Sequence, residues 1–316
     1  MLSAEAPGNE IANAHNQHFF IIAMDWKTRL IFMTVKNTIF LMLMLLLTLE
    51  AAAETREISF GIVPQQAASK LAHKWTPLME KLSKETGLRI VFKTAPTIPD
   101  FESRLYGGEY DIAYMNPYHY VTFSKKPGYR AFAKQKDKQL KGILVVRKDS
   151  PVEDLVDLDS GQLAFPSPAA FAASIITRAK LAQMQIRFTP RYVESHDSVY
   201  RSVAKGLFPA GGGVMRTFNN MEPEIRDQLR VLWTSEGYTP HAFAAHPDLP
   251  GEIVRRISDA MLALADSEEG RVLLDALAFN AIENAEDADW NDIRALDINL
   301  LDNLSGIRYE ERVAAR

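Results

Sequence analysis

From Ile58 onward the chain alternates short apolar runs with longer stretches of helical spacing, and that alternation most constrains its fold. Ile58–Val63 reads as a strand, and Ala67–Thr86 puts Leu71, Trp75, Leu78, Met79 and Leu82 on one helical face. Gly87 is a natural stop for that helix, since glycine enters the left-handed cap without strain. Further strands are expected at Leu88–Phe92, Tyr110–Ala113, Tyr129–Ala133, Gly142–Arg147, Gln162–Phe165, Arg191–Val193, Ala210–Val214, Arg230–Thr234 and His241–Ala245. Helices are expected at Ile98–Tyr106, at Asn116–Ser124 with Asn116 and Pro117 opening it, at Ala169–Gln183 and at Ser195–Lys205. The tail from Pro250 reads as mostly helical, and the Lys134–Lys138 run as a solvated hairpin turn. The alternation predicts βαβ units and a parallel sheet.

What precedes Ile58 has the layout of an export signal: Lys36, the apolar run Ile39–Leu47, then Ala51-Ala52-Ala53. The apolar run is shorter than the ~20 residues a membrane span needs, so cleavage rather than anchoring is expected. Residues 1–53 are read as this signal, with Met24 or Met33 a plausible true start. The chain has no cysteine, which removes a disulfide framework, a thiolate metal site, a cysteine nucleophile and a lipidated cysteine after the cleavage point. A released periplasmic protein, not a lipoprotein, is the expectation. A net charge of -4 argues against a nucleic-acid partner, which would require a basic stripe.

No Gly-x-Ser-x-Gly, phosphate loop or dinucleotide fingerprint occurs, so no enzyme activity and no cofactor are expected. His241 and His246, five apart on a strand, face opposite ways, and no metal site is expected.

Several motifs in order resemble the periplasmic binding proteins of phosphonate, phosphite and phosphate ABC transporters. They are Phe60-Gly61-Ile62-Val63-Pro64, Trp75-Thr76-Pro77-Leu78 with Glu85-Thr86-Gly87, and Tyr110-Asp111-Ile112-Ala113-Tyr114 with Asn116-Pro117. Val145-Val146-Arg147-Lys148-Asp149-Ser150, Ser195-His196-Asp197 and Val203-Ala204-Lys205-Gly206 continue the series. The resemblance implies an α/β type II binding-protein fold: two α/β lobes and a hinge of two crossings, near Leu140–Val146 and Leu232–Phe243. Lobe one would comprise residues 55–140 plus 236–316, and lobe two residues 141–235. A monomer is implied that closes on a small, anionic ligand and hands it to an ABC transporter permease. The alternative is a sensing subunit for a membrane histidine kinase.

Two departures from the family pattern bear on the ligand. Where the family has an Asp-Pro-x-Ser-Thr-Ser-Gly stretch that holds the oxyanion, this chain has Ser167-Pro168-Ala169-Ala170-Phe171-Ala172-Ala173. The hydroxyls are gone, leaving backbone donors at a helix N-terminus around Ser167, Ala170, Phe171 and Ala172. Where the family has Gly-x-Val-Asp-Ala, this chain has Gly206-Leu207-Phe208-Pro209-Ala210, with no carboxylate for an ammonium group. That counts against 2-aminoethylphosphonate, because buried polar groups left unpaired cost about 1–3 kcal/mol each.

The remaining candidate contacts are Gln65 (or Gln66) after the first strand, Tyr114 and Asn116 at a strand end, Tyr118 and Tyr120 on the helix that follows, and His196. Arg216, after Gly211-Gly212-Gly213, could supply the positive charge, or could pair on the surface with Glu222 or Glu224. The three glycines are expected to allow close approach of a ligand or hinge flexing.

Overall fold

The computed structural model describes residues 33–40, 42, 57–298, 300 and 301. Residues 33–40 are helical, whereas Ala51-Ala52-Ala53 and most of the expected apolar signal segment lie outside the described residues. Among the described residues no helix is long and apolar enough to cross a membrane.

Residues 57–301 build two sheets. The first has six strands: β1 (Glu57–Ile62), β2 (Arg89–Lys93), β3 (Ile112–Met115), β4 (Arg130–Gln135), β10 (Ala242–Ala245) and β11 (Ile282–Asn284), in the order β11-β4-β10-β3-β1-β2. The second has five: β5 (Gly142–Arg147), β6 (Gly161–Phe165), β7 (Phe188–Tyr192), β8 (Ala210–Val214) and β9 (Leu229–Thr234), in the order β7-β6-β8-β5-β9. The chain passes from the first sheet to the second after Gln135 and returns after Thr234. Leu140 and Tyr238 pair across the two passages, each amide donating to the other's carbonyl.

Neither sheet is purely parallel. β1 runs parallel to β2 and β3, and β6 parallel to β7 and β8. β10 is antiparallel to β3 and β4, and β5 antiparallel to β8 and β9, because these strands carry the chain between the sheets rather than continuing a βαβ series. For the same reason Lys134–Lys138 is not a hairpin turn. β4 and β5, on either side of it, belong to different sheets, and Lys134 lies within β4, bonded to Asp289 at 3.0 Å. The tail also carries one strand that its spacing hid, β11, on the sheet edge.

Helix α1 (Ala68–Thr86) buries Leu71, Trp75, Leu78, Met79 and Leu82, and Gly87 caps it at φ 63°. Each such apolar side chain contributes about 1.5–3 kcal/mol relative to exposure. Trp75, Tyr114, Phe243 and Phe279 form one aromatic cluster, with Trp75 and Tyr114 at 5.0 Å. In the second sheet β5 alternates strictly. Ile143 and Val145 face one apolar cluster, Leu144 and Val146 the other, so both faces of the strand are covered.

The expected Ala169–Gln183 helix starts with a π-helical segment, Phe171–Ile176, before α4 (Thr177–Gln183). Glycines explain how close that segment lies to the sheet. A side chain at Gly142 would strike the carbonyl of Ala172, and one at Gly212 the carbonyl of Ala173. Gly211 and Gly213 likewise leave room for Val199 and Tyr200 of α5 (His196–Ala204). The glycine run is therefore a packing device inside β8, not the ligand approach or hinge expected of it.

Candidate functional site

Open α/β sheets place ligands beyond the carboxyl ends of their parallel strands, and the chemistry-bearing residues collect there. Gln65 and Gln66 follow β1, Tyr114 lies near the end of β3, and Arg216 is the second residue of α6 (Met215–Asn219), which follows β8 directly. His196 is the first residue of α5, whose N-cap is Ser195, bonded to the Ser198 amide.

Arg216 is the centre of this cluster. Its guanidinium donates from Nη2 to Gln65 Oε1 at 2.6 Å. It lies 5.9 Å from the ring centre of Tyr114 and 5.8 Å from that of Phe279, within cation–π range. It makes no ion pair among the described residues. Glu222, the surface partner open to it from sequence, pairs instead with Arg201 at 2.9 Å and Lys70 at 3.7 Å. A small cavity of about 10 Å³ is lined by Arg216, Lys74, Gln65, Gln66, Trp75 and Tyr114, among others. Lys74 brings a second cation, also without an ion pair among the described residues. Burial holds its ammonium below the ordinary lysine range, with Lys70 and Arg216 adding repulsion.

A second cavity, also of about 10 Å³, shares the lining residues Val63 and Gln65 with the first. Its other walls include Ile98, Asn116, Ala170, Phe171, Ala172 and His196. Each cavity has room for about one water molecule.

His241 stacks on Tyr114 at 5.0 Å, with its Nε2 3.1 Å from Gln65 Nε2. His196 Nδ1 meets Thr217 Oγ1 at 3.1 Å, and Thr217 in turn meets the Tyr200 hydroxyl at 2.8 Å. Burial pushes the His196 imidazole down to about 3 and His241 well below its usual value, and the charge of Arg216 adds to both shifts. Both rings are neutral at ordinary pH. Burial raises the Tyr114 hydroxyl, which Arg216 partly offsets.

The structure brings Gln65, Tyr114, Asn116, Ala170, Phe171, Ala172, His196 and Arg216 to the two cavities. Asn116 is already engaged. Its Oδ1 caps α3 (Pro117–Phe123) at the His119 amide, and its Nδ2 donates to Ala169 O at 3.3 Å. Tyr118 is not at the cavities; it is buried, and its hydroxyl accepts from the Leu301 amide at 2.8 Å. Tyr120 also points away, donating to Asp287 at 2.6 Å. Ser167 is buried outside the cavity walls, with its hydroxyl unpartnered among the described residues.

Ala169–Ala173 belong to the apolar cluster of the first sheet, so this stretch meets the cleft as an apolar wall. Sequence reading missed Lys74, Trp75 and Phe279 as site residues. Lys74 carried a signal: it falls at i+3 from Leu71 and i−4 from Leu78, a cation set into a buried stripe.

The family model for "ABC transporter, phosphonate, periplasmic substrate-binding protein" matches residues 60–290. Among curated proteins, the phosphate-import protein PhnD of Mycolicibacterium smegmatis is 22% identical over 282 residues, covering 78% of this chain and 86% of that protein. Among solved structures, PhnD1 of Prochlorococcus marinus in complex with methylphosphonate superposes with a TM-score of 0.70 at 17% identity, covering 77% of this chain and 97% of that one. A binding-protein component of an ABC phosphonate transporter from Pseudomonas aeruginosa gives 0.71 at 18% identity, covering 83% and 99%.

Proposed function

The chain belongs to the family of periplasmic substrate-binding proteins of phosphonate ABC transporters, and from that premise we propose that Arg216 and Lys74 hold the oxyanion of its ligand. Members of this family are transport components, not enzymes, and the protein captures a small molecule for an ABC transporter rather than for a sensor kinase.

The observation that carries the anion reading is Arg216: a guanidinium in the cleft, over two aromatic rings, with no carboxylate paired to it among the described residues. A half-buried cation of this kind gains most from a charged partner, and a phosphonate or phosphate supplies one in fork geometry. Lys74 faces the same cavity from α1, so an anion there joins the first-sheet side to the second-sheet side. The two passages at residues 136–141 and 235–241 are the hinge about which the lobes close. The anion-binding role that the family gives to serine and threonine hydroxyls passes here to side-chain cations.

A thermal-shift titration of the purified protein with phosphate, phosphite, methylphosphonate and alkylsulfonates tests this. A ligand that binds only the folded state raises the melting temperature by mass action. The expected result is a rise with phosphonate-class oxyanions that Arg216→Ala abolishes. No rise with any of them, or an equal rise in the variant, overturns the assignment.

A further inference from the structure

We propose, resting on the anion site above, that the Gln65 side chain is an internal competitor for that site. Its amide carbonyl holds Arg216 in the unliganded protein, and an oxyanion binds by displacing it. Gln65 follows β1 on the first-sheet side and Arg216 follows β8 on the second, so their 2.6 Å bond spans the cleft. Gln65 is only 6% exposed, and its carboxamide is held at both ends. A guanidinium can only donate, so Oε1 must face Arg216. That turns the amide nitrogen towards His241, whose neutral Nε2 accepts from it at 3.1 Å.

Room beside Arg216 is short while Gln65 stays in place. The cavity that Arg216 shares with Lys74 holds about one water, and a phosphate or phosphonate head is far larger. Gln65 is a wall of that cavity, so withdrawing its carboxamide frees both space and the Nη2 donor. The backbone at Gln65 has its own anchors: its amide donates to Val63 O at 2.8 Å, and its carbonyl accepts from the His196 amide at 3.0 Å. The side chain can therefore leave Arg216 without breaking the main-chain bond across the cleft. A larger cavity, of about 480 Å³, borders Arg216, Tyr114 and His241 from the side of residues 137–141. Neither Gln65 nor Lys74 lines it, so an anion held there would leave Gln65 undisturbed and miss Lys74.

Calorimetric titration of the purified protein with phosphate and methylphosphonate, in the native chain and two variants, is the test. Gln65→Ala leaves Arg216 free at all times, so the anion should bind about 3–10-fold tighter than to the native chain. Gln65→Glu keeps the shape but gives Arg216 a tethered carboxylate, and should weaken the anion at least about tenfold. Shifts of opposite sign mark a competitor; a side chain that only supports the fold would weaken binding in both variants. Weaker binding to Gln65→Ala would make Gln65 a contact of the ligand, and unchanged binding would put the anion in the larger cavity. Either result overturns the proposal and leaves an anion site standing, as does native-level affinity in Gln65→Glu. Failure of both anions to bind any of the three proteins removes the anion site and the competitor together.

Discussion

Arg216 is the proposed anion partner, and its charge adds to the burial that keeps two neighbouring imidazoles neutral. Replacing it with lysine preserves charge but loses the planar fork that engages two oxygens at once. A charge-assisted hydrogen bond is worth about 1.5–3 kcal/mol, so Arg216→Lys and Arg216→Ala should both weaken phosphonate-class ligands by roughly 10–100-fold, with alanine the worse. Calorimetry on the two variants measures this, and retained affinity in both would move the anion elsewhere in the cleft. The histidines give a second prediction. In the unfolded chain each takes a proton near pH 6.5, whereas folded His196 stays neutral down to about 3 and His241 is depressed in the same direction. The unfolded state therefore binds more protons in that window, and stability falls as pH falls. Each imidazole should cost about 1 kcal/mol between pH 6.5 and about pH 5.5. Denaturant melts at the two pH values should show that loss in the native chain and a smaller one in His241→Gln. An equal loss in both would mean that His241 is not held neutral by the fold.

At the scale of elements, local chemistry announced some features and tertiary contact decided others. Asn116 before Pro117, Ser195 before α5 and Gly87 after α1 were readable because a cap is a short-range bargain between one side chain and the nearest amides. Arg216 was readable as a cation near a strand end, but its partners, Gln65 and the rings of Tyr114 and Phe279, come from up to 151 residues away in sequence. The π-helical start at Phe171 was not readable, since no local residue demands it; glycines at 142 and 212 admit its carbonyls from elsewhere in the chain. The same gap explains why Tyr118 seemed a cleft residue. Its spacing from Asn116 fits a ligand contact, and only the contact with Leu301 shows that the ring turns the other way. Gly212→Ala tests the packing role directly. Its Cβ would strike Ala173 O and come within 2.7 Å of the Phe165 ring, so the variant should lose about 1–3 kcal/mol or more in denaturant unfolding. Gly251→Ala is the control: a side chain there meets nothing within 4 Å and the backbone is not left-handed, so it should change stability by less than about 0.5 kcal/mol. Comparable losses in the two would take the glycine run out of the packing account.

Across the whole molecule, hydrogen bonds within the protein join the two sheets. Lys70, on α1, donates to Asn220 O at 2.9 Å and lies 3.7 Å from both Asp197 and Glu222, all three on the second-sheet side. Gln66 and the Gln65 carbonyl add bonds to Asp197 and to the His196 amide. On the proposed function, these contacts hold the same arrangement of the two sheets that an anion between Lys74 and Arg216 would hold, so contacts and ligand should reinforce each other. A lysine whose side chain is 22% exposed gives each contact only a modest worth, about 0.5–1 kcal/mol. Lys70→Met removes all three at once while keeping most of the apolar stem. The unliganded variant should then spend more time open, with a larger radius of gyration in small-angle scattering. Ligand should return it to the native value. Affinity should fall by about 3–10-fold, because the ligand must now supply closure that the clamp had supplied. An unchanged radius with unchanged affinity would place Lys70 outside the closure equilibrium.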